Sequence, residues 1–466
     1  MRILSQIINY YSYIIFIYFF LINFFYIGLI LISLRRLKEF TTIVKSDITV
    51  AGDYTKPISI IVPAYNEQET IIDNIQSLLK LEYPEFEVVV VNDGSRDKTL
   101  RRIIDFYDLR RVDIEINMQI DCNEIKEVYS SFEMPNLIVV NKENGGKSDA
   151  LNAGINVSRY PLVCGIDADC VIEKEALLSI VKPFLKYEET IAVGGIVRIA
   201  NGCIIKDGKV LESKLPKKGI VKFQIIEYLR AFLTSRVGWE KLNALLIISG
   251  AFGLFKKSAV VAIGGYKKTI GEDMELTIRL HEYFRKNKIN YKVDYTSDAV
   301  CWTQVPDTLR GLKVQRTRWQ RGLMDSLFKH RKMLLNPRYG AIGMLSLPYL
   351  WFFEMLGPII ELIGYIILIV AMVFGLLSKY IIFIFIAAYL YGILFSLCGI
   401  LFEQLSYKRY KDFKEIGLLV LYGFLEQFYY RQFTVYCRII AFFNYRKGSK
   451  QWGAIKRTSF TEEGRL

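Results

Sequence analysis

Seven side chains in four short stretches could do chemistry together: Asp93 in VVVVNDGSRDKT, Asp167 and Asp169 in GIDADC, Asp273 in GED, and Gln315, Arg318 and Trp319 in QRTRW. The acidic pair Asp167-Ala-Asp169 is the clearest metal signal. Alternate residues leaving a strand project differently, so a turn after Asp167 must bring both carboxylates toward one divalent ion. Hard oxygen ligands completed by substrate phosphates suit Mg2+ or Mn2+. An Asp-x-Asp alone is common on any surface; after a buried strand, and in series with the other stretches, it carries weight.

A proton acceptor follows by elimination. The chain has two histidines, His281 and His330, each beside ordinary helix residues. A carboxylate is then the better base for an acceptor hydroxyl. Asp273 opens a helical pattern (Met274, Leu276, Ile278, Leu280) that would hold it at a rigid helix start. Its bland role is an N-cap, which Asp often fills, and Glu272 is the rival base. A base on the face opposite a departing nucleotide gives single displacement with inversion. In QRTRW the guanidinium of Arg318 offers a planar fork to a pyrophosphate, Gln315 can bond a phosphate or sugar oxygen, and the indole of Trp319 can stack on a pyranose. Read blandly, the stretch is an interfacial amphipathic helix with a basic face and a Trp anchor. Both readings are compatible.

The elements that must position these groups are legible between Lys56 and about Ser158. ISIIVP (58–63), FEVVVVND (86–93) and NLIVVN (136–141) are short apolar runs that end in polar residues, as parallel strands buried on both faces read. From Glu67 to Leu81 the apolar residues Ile71, Ile75, Leu78 and Leu79 follow helical spacing. Strand, helix, strand with a right-handed crossover implies a doubly wound α/β sheet, whose ligands sit beyond the carboxyl ends of the strands. Asn66-Glu67, Asn92-Asp93 and Asn141 all fall there. A fourth strand, 162–169, is expected to end in the acidic pair. The segment 110–135 breaks the pattern and is expected as a surface excursion, and 201–220, with Lys206, Lys209, Lys214, Lys217 and Lys218, as a mobile basic loop with a solvated face.

The 466-residue chain is 52% apolar, exceeds one average domain, and carries a net charge of +14, which together with a positive mean hydropathy points to part of it lying in lipid. Residues 3–34 contain no Asp, Glu, Lys or Arg, and Arg35, Arg36 and Lys38 follow at once. That run is long enough to span a bilayer and too long for a cleaved signal peptide. The positive cluster predicts a cytoplasmic central region. The basic residues beside the spans would attract anionic lipid head groups; no recognition module supports the competing nucleic-acid reading of a pI near 9.2. The seven cysteines are scattered with no CxxC pair, so neither a disulfide framework nor a zinc site is suggested, and a reducing compartment suits them. After about Arg338 the chain is membrane-like again in 341–353 (interfacial), 357–377, 380–402 and 416–443, the last expected to break near Glu426 and Arg431. Glu354, Glu361, Glu403, Glu426, Arg431 and Arg438 either face a wet interior or pair with one another.

ISIIVPAYNE, VVVVNDGSRDKT, NGGKSDALNAG, DADC, SGAFG, GED and QRTRW together resemble the family 2 glycosyltransferase membrane synthases, which make cellulose, hyaluronan and poly-N-acetylglucosamine. The resemblance covers about residues 56–335. It implies an α/β GT-A fold, a UDP-sugar donor, Mg2+ or Mn2+, inversion and often processive transfer. Carried over position by position, Ala64, Tyr65, Glu67 and Asp93 would border the nucleoside with Lys147 nearby, and Asp167 and Asp169 would hold phosphates and metal. Gly250 would sit at the acceptor end, Asp273 would be the base, and Gln315, Arg318 and Trp319 would close over the pyrophosphate and acceptor. The expected organisation is an N-terminal transmembrane helix in 1–40, the transferase domain in 56–335, a membrane bundle in 341–445 and a basic cytoplasmic tail in 446–466, in a multi-pass plasma-membrane protein. The reading favours a hexosyl- or N-acetylhexosaminyltransferase that extends and exports an exopolysaccharide, and leaves room for an accessory export subunit. Transfer of one sugar to a lipid-linked acceptor, and an inactive transferase-like transporter or scaffold, are the alternatives.

Overall fold

The computed structural model describes residues 2–43, 55–206 and 209–445. The expected tail and the side chains of Lys206 and Lys209 lie outside them. The centre is a ten-stranded sheet whose order from one edge is Arg110–Val112, Ile125–Ser130, Leu137–Lys142, Phe86–Asp93, Ile58–Ala64, Leu162–Gly165, Gly253–Lys256, Thr190–Ile199, Lys292–Thr303 and Cys170–Ile172. The four strands from Leu137–Lys142 to Leu162–Gly165 are parallel, as their uninterrupted apolar runs require. Helices Ile71–Leu79, Thr99–Tyr107 and Lys147–Val157 cross between them. The remainder is mixed: Gly253–Lys256 runs antiparallel to both neighbours, whereas Lys292–Thr303 is parallel to Thr190–Ile199.

The parallel register fixes where the polar residues emerge. Ala64 pairs with Asn92, Asn92 with Asn141, and Asp93 with Lys142, so three strand ends present their motifs in one row. The fourth strand is shorter than expected. It ends at Gly165, and a turn closed by Cys170 N–H to the Asp167 carbonyl, 3.0 Å, leads into Cys170–Ile172. That turn gives the acidic pair the change of direction its spacing demands.

Two expectations of irregular structure are corrected. Segment 110–135 contains the edge strand Arg110–Val112 and, next to it, Ile125–Ser130, paired antiparallel to each other and onto the sheet. Their mixed polar composition suits an edge that is half solvated. Within the expected basic loop, strands Cys203–Lys206 and Lys209–Ser213 pair antiparallel.

Helices flank the sheet. Arg2–Ile43 is continuous, and within it Gln6–Arg35 is long and apolar enough to cross a bilayer, as is Lys379–Ser406. Ile342–Met355 and Gly357–Val373, bent by 41° at their junction, would make a third span if taken together. The last segment does not break: Phe413–Leu425 passes through a π-turn, Glu426–Tyr430, into Arg431–Phe443 as contiguous helix. The charged residues of these helices pair. Arg431 binds Glu361 at 2.8 Å, Arg230 binds Glu426 at 2.9 Å, Arg438 lies 3.5 Å from Glu354, and Arg198 binds Glu403 at 2.9 Å. Mutual neutralisation is how such groups are tolerated away from water.

Candidate active site

Asp93 ends its strand buried, and its carboxylate is surrounded by donors. Oδ1 accepts from Gly145 N–H (2.9 Å) and the Lys142 ammonium (2.9 Å), and Oδ2 from Gly146 N–H (2.8 Å) and the Asn144 amide (3.2 Å). Lys142 is itself fully buried and also pairs with Asp149 at 2.5 Å. These bonds clamp the NGGK stretch to the sheet at the point where helix Lys147–Val157 begins. Gly146, at φ +91°, makes the turn that a side chain would strain. Asn66 N–H donates to Ser95 Oγ and Glu67 N–H to Thr99 Oγ1, which ties the loop after the first strand to that after the second. Ala64 is buried at the strand end, and Tyr65 is exposed beside it.

Lys147 is where the separate stretches meet. Its ammonium lies 2.5 Å from Asp167 and 3.1 Å from Glu272. A Cβ on Gly250 would sit 3.1 Å from that ammonium and 3.5 Å from Asp273 Cβ, so the SGAFG loop comes close to both and a side chain there would press on the Lys147 ammonium. Asp273 Oδ2 accepts from Gly250 N–H (3.2 Å) and Oδ1 from Met274 N–H (2.8 Å). Asp273 is not the N-cap of Glu272–Lys286; Gly271 holds that position, and the carboxylate is free to face the cleft. Burial opposes the charge on Lys147, but Asp167, Glu272 and Asp273 outweigh it and hold the ammonium well above the usual lysine pKa. Burial, reinforced by the Asp273 charge and opposed by Lys147, raises Glu272. The cleft among Lys147, Gly250, Tyr266, Glu272 and Asp273 has a free volume of about 10 Å3, room for about one water. A larger concavity, about 690 Å3, opens elsewhere along the strand ends, lined by Asn92, Leu100, Arg101 and Asn141, and excludes Asp167, Asp169 and Asp273.

Ligand atoms of Asp167, Asp169 and Cys170 lie within 4.8 Å of one another. The Cys170 thiol, free of any disulfide, is pushed up by its hydrogen bond with the Cys301 thiol and by burial. The two carboxylates therefore form the hard oxygen pair that fits Mg2+ or Mn2+, with the remaining positions left to other oxygens. Both histidines are hydrogen-bonded within the fold. His281 donates from Nε2 to the Leu245 carbonyl and accepts at Nδ1 from the Tyr291 hydroxyl, and burial lowers its pKa to about 4.

QRTRW lies in helix Leu309–Lys329, capped by Thr308 Oγ1 accepting from Gly311 N–H. Gly322 on this helix meets Gly271 backbone to backbone: a Cβ on either would fall 3.0 Å from the other's Cα. QRTRW and GED are thereby held in fixed relation. Gln315 is buried with Oε1 unpartnered, and Trp319 is 43% exposed, 6.3 Å ring to ring from Tyr228. Arg316, between the expected residues, lies 4.2 Å from the indole ring and pairs with Glu227 at 2.7 Å. The structure thus brings Lys147, Asp167, Gly250 and Asp273 into direct contact and connects Asp93 and QRTRW to them through backbone. Sequence reasoning missed Lys142, Asn144, Glu227 and Arg316; Asn144 opens the NGGKSDALNAG stretch already singled out, and Lys142 stands two residues before it.

A mixed sheet with a strand-end acidic pair, a carboxylate at a helix start and an aromatic-basic helix is an arrangement of the GT-A type. The profile of glycosyl transferase family 2 matches residues 59–260, and that of glycosyl transferase family group 2 matches 162–398. The chain belongs to the family 2 glycosyltransferases. It is 33% identical over 276 residues to a poly-beta-1,6-N-acetyl-D-glucosamine synthase of Staphylococcus epidermidis, a match covering 58% of this chain and 56% of that one. It is 31% identical over 318 residues to the synthase of the same name from Staphylococcus aureus, covering 67% and 66%. The chain thus spans between half and two thirds of these relatives' length. Among solved structures, the mannosyltransferase PcManGT of Pyrobaculum calidifontis, in complex with GDP-Man and Mn2+, shares the fold, with a TM-score of 0.52 at 19% identity over 90% of this chain and 99% of that one.

Proposed function

We propose that this chain is an inverting, metal-dependent β-glycosyltransferase that moves N-acetylglucosamine from a UDP-sugar to a growing exopolysaccharide. The observation that carries the reading is the contact of Lys147 with both Asp167 and Glu272 beside the Asp273–Gly250 pair, because it gathers four stretches far apart in sequence at one point. The names of the staphylococcal relatives support the sugar and the polymer. The Mn2+ of the mannosyltransferase complex is compatible with a divalent ion here.

In this reading Asp167 and Asp169 hold Mg2+ or Mn2+, which when bound neutralises charge on the diphosphate. Ala64, Tyr65, Glu67 and the loops clamped by Asp93 border the nucleoside. Lys147 exchanges its carboxylate partners for phosphate oxygens as the narrow cleft opens for the donor. Asp273 takes the proton of the acceptor hydroxyl. That oxygen bonds to the sugar C1 as the C1–O bond to the diphosphate breaks on the opposite face, the electron pair leaves with UDP, and the configuration at C1 inverts. Arg318 and Gln315 face the departing pyrophosphate, and Trp319 stacks on the acceptor. The domain division read from the sequence, a cytoplasmic transferase unit, and export of the chain through the membrane helices belong to the same proposal, because Lys and Arg cluster after the first span and at Lys408 to Lys414.

A panel of radiolabelled nucleotide sugars on the purified protein tests this. UDP-N-acetylglucosamine is expected to label polymer, and EDTA or Asp169→Ala to abolish labelling while the protein stays folded. Absence of transfer from every UDP-sugar, or full activity in EDTA, contradicts it.

A further inference from the structure

Arg316 stands three residues before Trp319, on the same face of helix Leu309–Lys329. Its guanidinium lies 4.2 Å from the centre of the indole ring, and the residue is only 3% exposed. Nη2 donates to Glu227 Oε2 at 2.7 Å and to the Tyr430 hydroxyl at 3.0 Å, and that hydroxyl donates to the same Glu227 oxygen at 2.7 Å. Nε and Nη1 are buried and, among the described residues, have no hydrogen-bond acceptor. Burying unpaired donors is costly in a folded chain. The negative face of an indole offsets part of that cost for a cation placed over it. The guanidinium thus forgoes hydrogen bonds where it covers the ring and makes them on the side turned to Glu227 and Tyr430.

The groups that hold Arg316 come from two other parts of the chain. Glu227 belongs to helix Gly219–Arg230, and Tyr430 to the π-turn Glu426–Tyr430 ahead of helix Arg431–Phe443. Neither is loose. The Tyr430 ring stacks on Phe223 at 5.1 Å and 21°, and these two rings with Leu312 form a buried cluster of their own. Thr317 donates to the Cys437 carbonyl at 3.2 Å and Arg438 to Gln320 at 2.8 Å, so the QRTRW helix cannot slide along its neighbour. Trp319 is nevertheless 43% exposed. What a buried guanidinium covers is not exposed, so the open part of the indole lies away from Arg316. Read blandly, Arg316 and Glu227 are an ion pair joining two helices; a buried pair by itself adds little stability, and joining helices does not call for a cation over a solvent-facing ring.

We propose that Arg316 is a positioning residue for the acceptor: held by Glu227 and Tyr430, it fixes the plane of the Trp319 indole, whose open side receives the terminal sugar of the growing chain. This rests on the transferase reading above, in which Trp319 stacks on the acceptor. Tyr430 belongs to the C-terminal helices, so the plane of the platform follows them, whereas the Gly271–Gly322 contact ties the helix that carries it to Asp273.

The test measures, on the full-length protein in detergent, the apparent KM and kcat for a β-1,6-linked N-acetylglucosamine oligomer at saturating UDP-N-acetylglucosamine, and the affinity for UDP with Mn2+ by calorimetry. Arg316→Met, which keeps the apolar stem, is expected to raise the acceptor KM about three- to ten-fold, the range of one aromatic contact, with kcat and UDP affinity unchanged. Arg316→Lys, which keeps the charge without the planar fork, is expected to fall between wild type and Arg316→Met. Glu227→Gln, which loosens the hold on the guanidinium and leaves Tyr430 in place, is expected to raise KM less than Arg316→Met. On a Trp319→Ala background Arg316→Met is expected to add nothing, because its effect passes through the ring; a residue that only joined helices would add its full factor there. An unchanged acceptor KM in Arg316→Met, the same factor on both backgrounds, or a loss of UDP affinity in both Arg316→Met and Glu227→Gln overturns the assignment. A wild-type protein that binds UDP but transfers to no acceptor instead overturns the transferase reading itself.

Discussion

Asp273 and Glu272 are adjacent in sequence and differently employed. Glu272 is buried and paired with Lys147, whereas Asp273 is held by two backbone N–H groups with its carboxylate at the edge of the cleft. A base must meet its substrate, so in the proposed reaction Asp273 would be the base and Glu272 a holder of Lys147. Asp273→Asn keeps the shape and is expected to lower turnover by about 10² or more with UDP binding intact. Glu272→Gln is expected to weaken UDP binding as well as turnover, and steady-state kinetics beside calorimetry separate the two. If only Glu272→Gln is inactive, the roles are reversed. Of these groups the sequence showed the carboxylates, because Asp and Glu at strand ends and helix starts are conspicuous. It did not show which of the pair is engaged, since that depends on Lys147 from a helix more than a hundred residues away. Nor did it show Lys142, whose burial is intelligible only once Asp93 and Asp149 converge on it.

Helix Glu272–Lys286 and helix Leu309–Lys329 must keep their mutual position for Asp273 and Trp319 to serve one acceptor, and two contacts fix it. At one end Gly271 meets Gly322. Gly322→Ala must push the backbones apart, and transfer is expected to fall at least ten-fold with far-ultraviolet circular dichroism unchanged; wild-type activity would show the contact to be slack. At the other end His330 lies between Glu282, 2.6 Å from Nδ1, and Glu275, 3.4 Å from Nε2. Burial opposes the charge on His330, but the two glutamates prevail and raise its pKa above the usual 6.5. Burial would raise Glu275, but His330 and Arg279 hold it at about 2. A raised histidine contributes stability that is complete below its unfolded pKa and lost as pH rises through the folded value. A depressed glutamate contributes stability that is present above its unfolded pKa and lost as pH falls through about 2. The pair is therefore strongest between the ordinary glutamate and histidine values. Thermal unfolding is expected to show Tm falling from pH 6 toward pH 8.5 in the wild type, and His330→Gln is expected to flatten that slope; an equal slope in both places the titration elsewhere. Parallel strands were readable because burial on both faces makes them uniformly apolar. The edge strand Arg110–Val112, its neighbour Ile125–Ser130 and the paired strands Cys203–Lys206 and Lys209–Ser213 were not, because short, half-solvated, basic strands look like loops until their partners are known.

The transferase sheet and the membrane helices are joined by ion pairs. Glu173, three residues beyond Cys170, takes both nitrogens of Arg409 and the indole N–H of Trp302, and Arg198, at the end of its strand, takes Glu403 at the end of helix Lys379–Ser406. The N-terminal helix packs on the contiguous helix 219–241, where Ser33 donates to the Thr234 carbonyl. The sheet and the candidate spans are thus parts of one scaffold. The sequence revealed the alternation of apolar and polar blocks behind this arrangement, and the paired charges Glu361–Arg431 and Glu426–Arg230 show how the helices accommodate their ionised residues. The measurement that bears most directly on the account is the size of the product made by the purified protein from radiolabelled UDP-N-acetylglucosamine and Mn2+ with acceptor in large excess. Long chains at early times, with most acceptor unextended, is the predicted result; a product one sugar longer than the acceptor, however long the incubation, would contradict it.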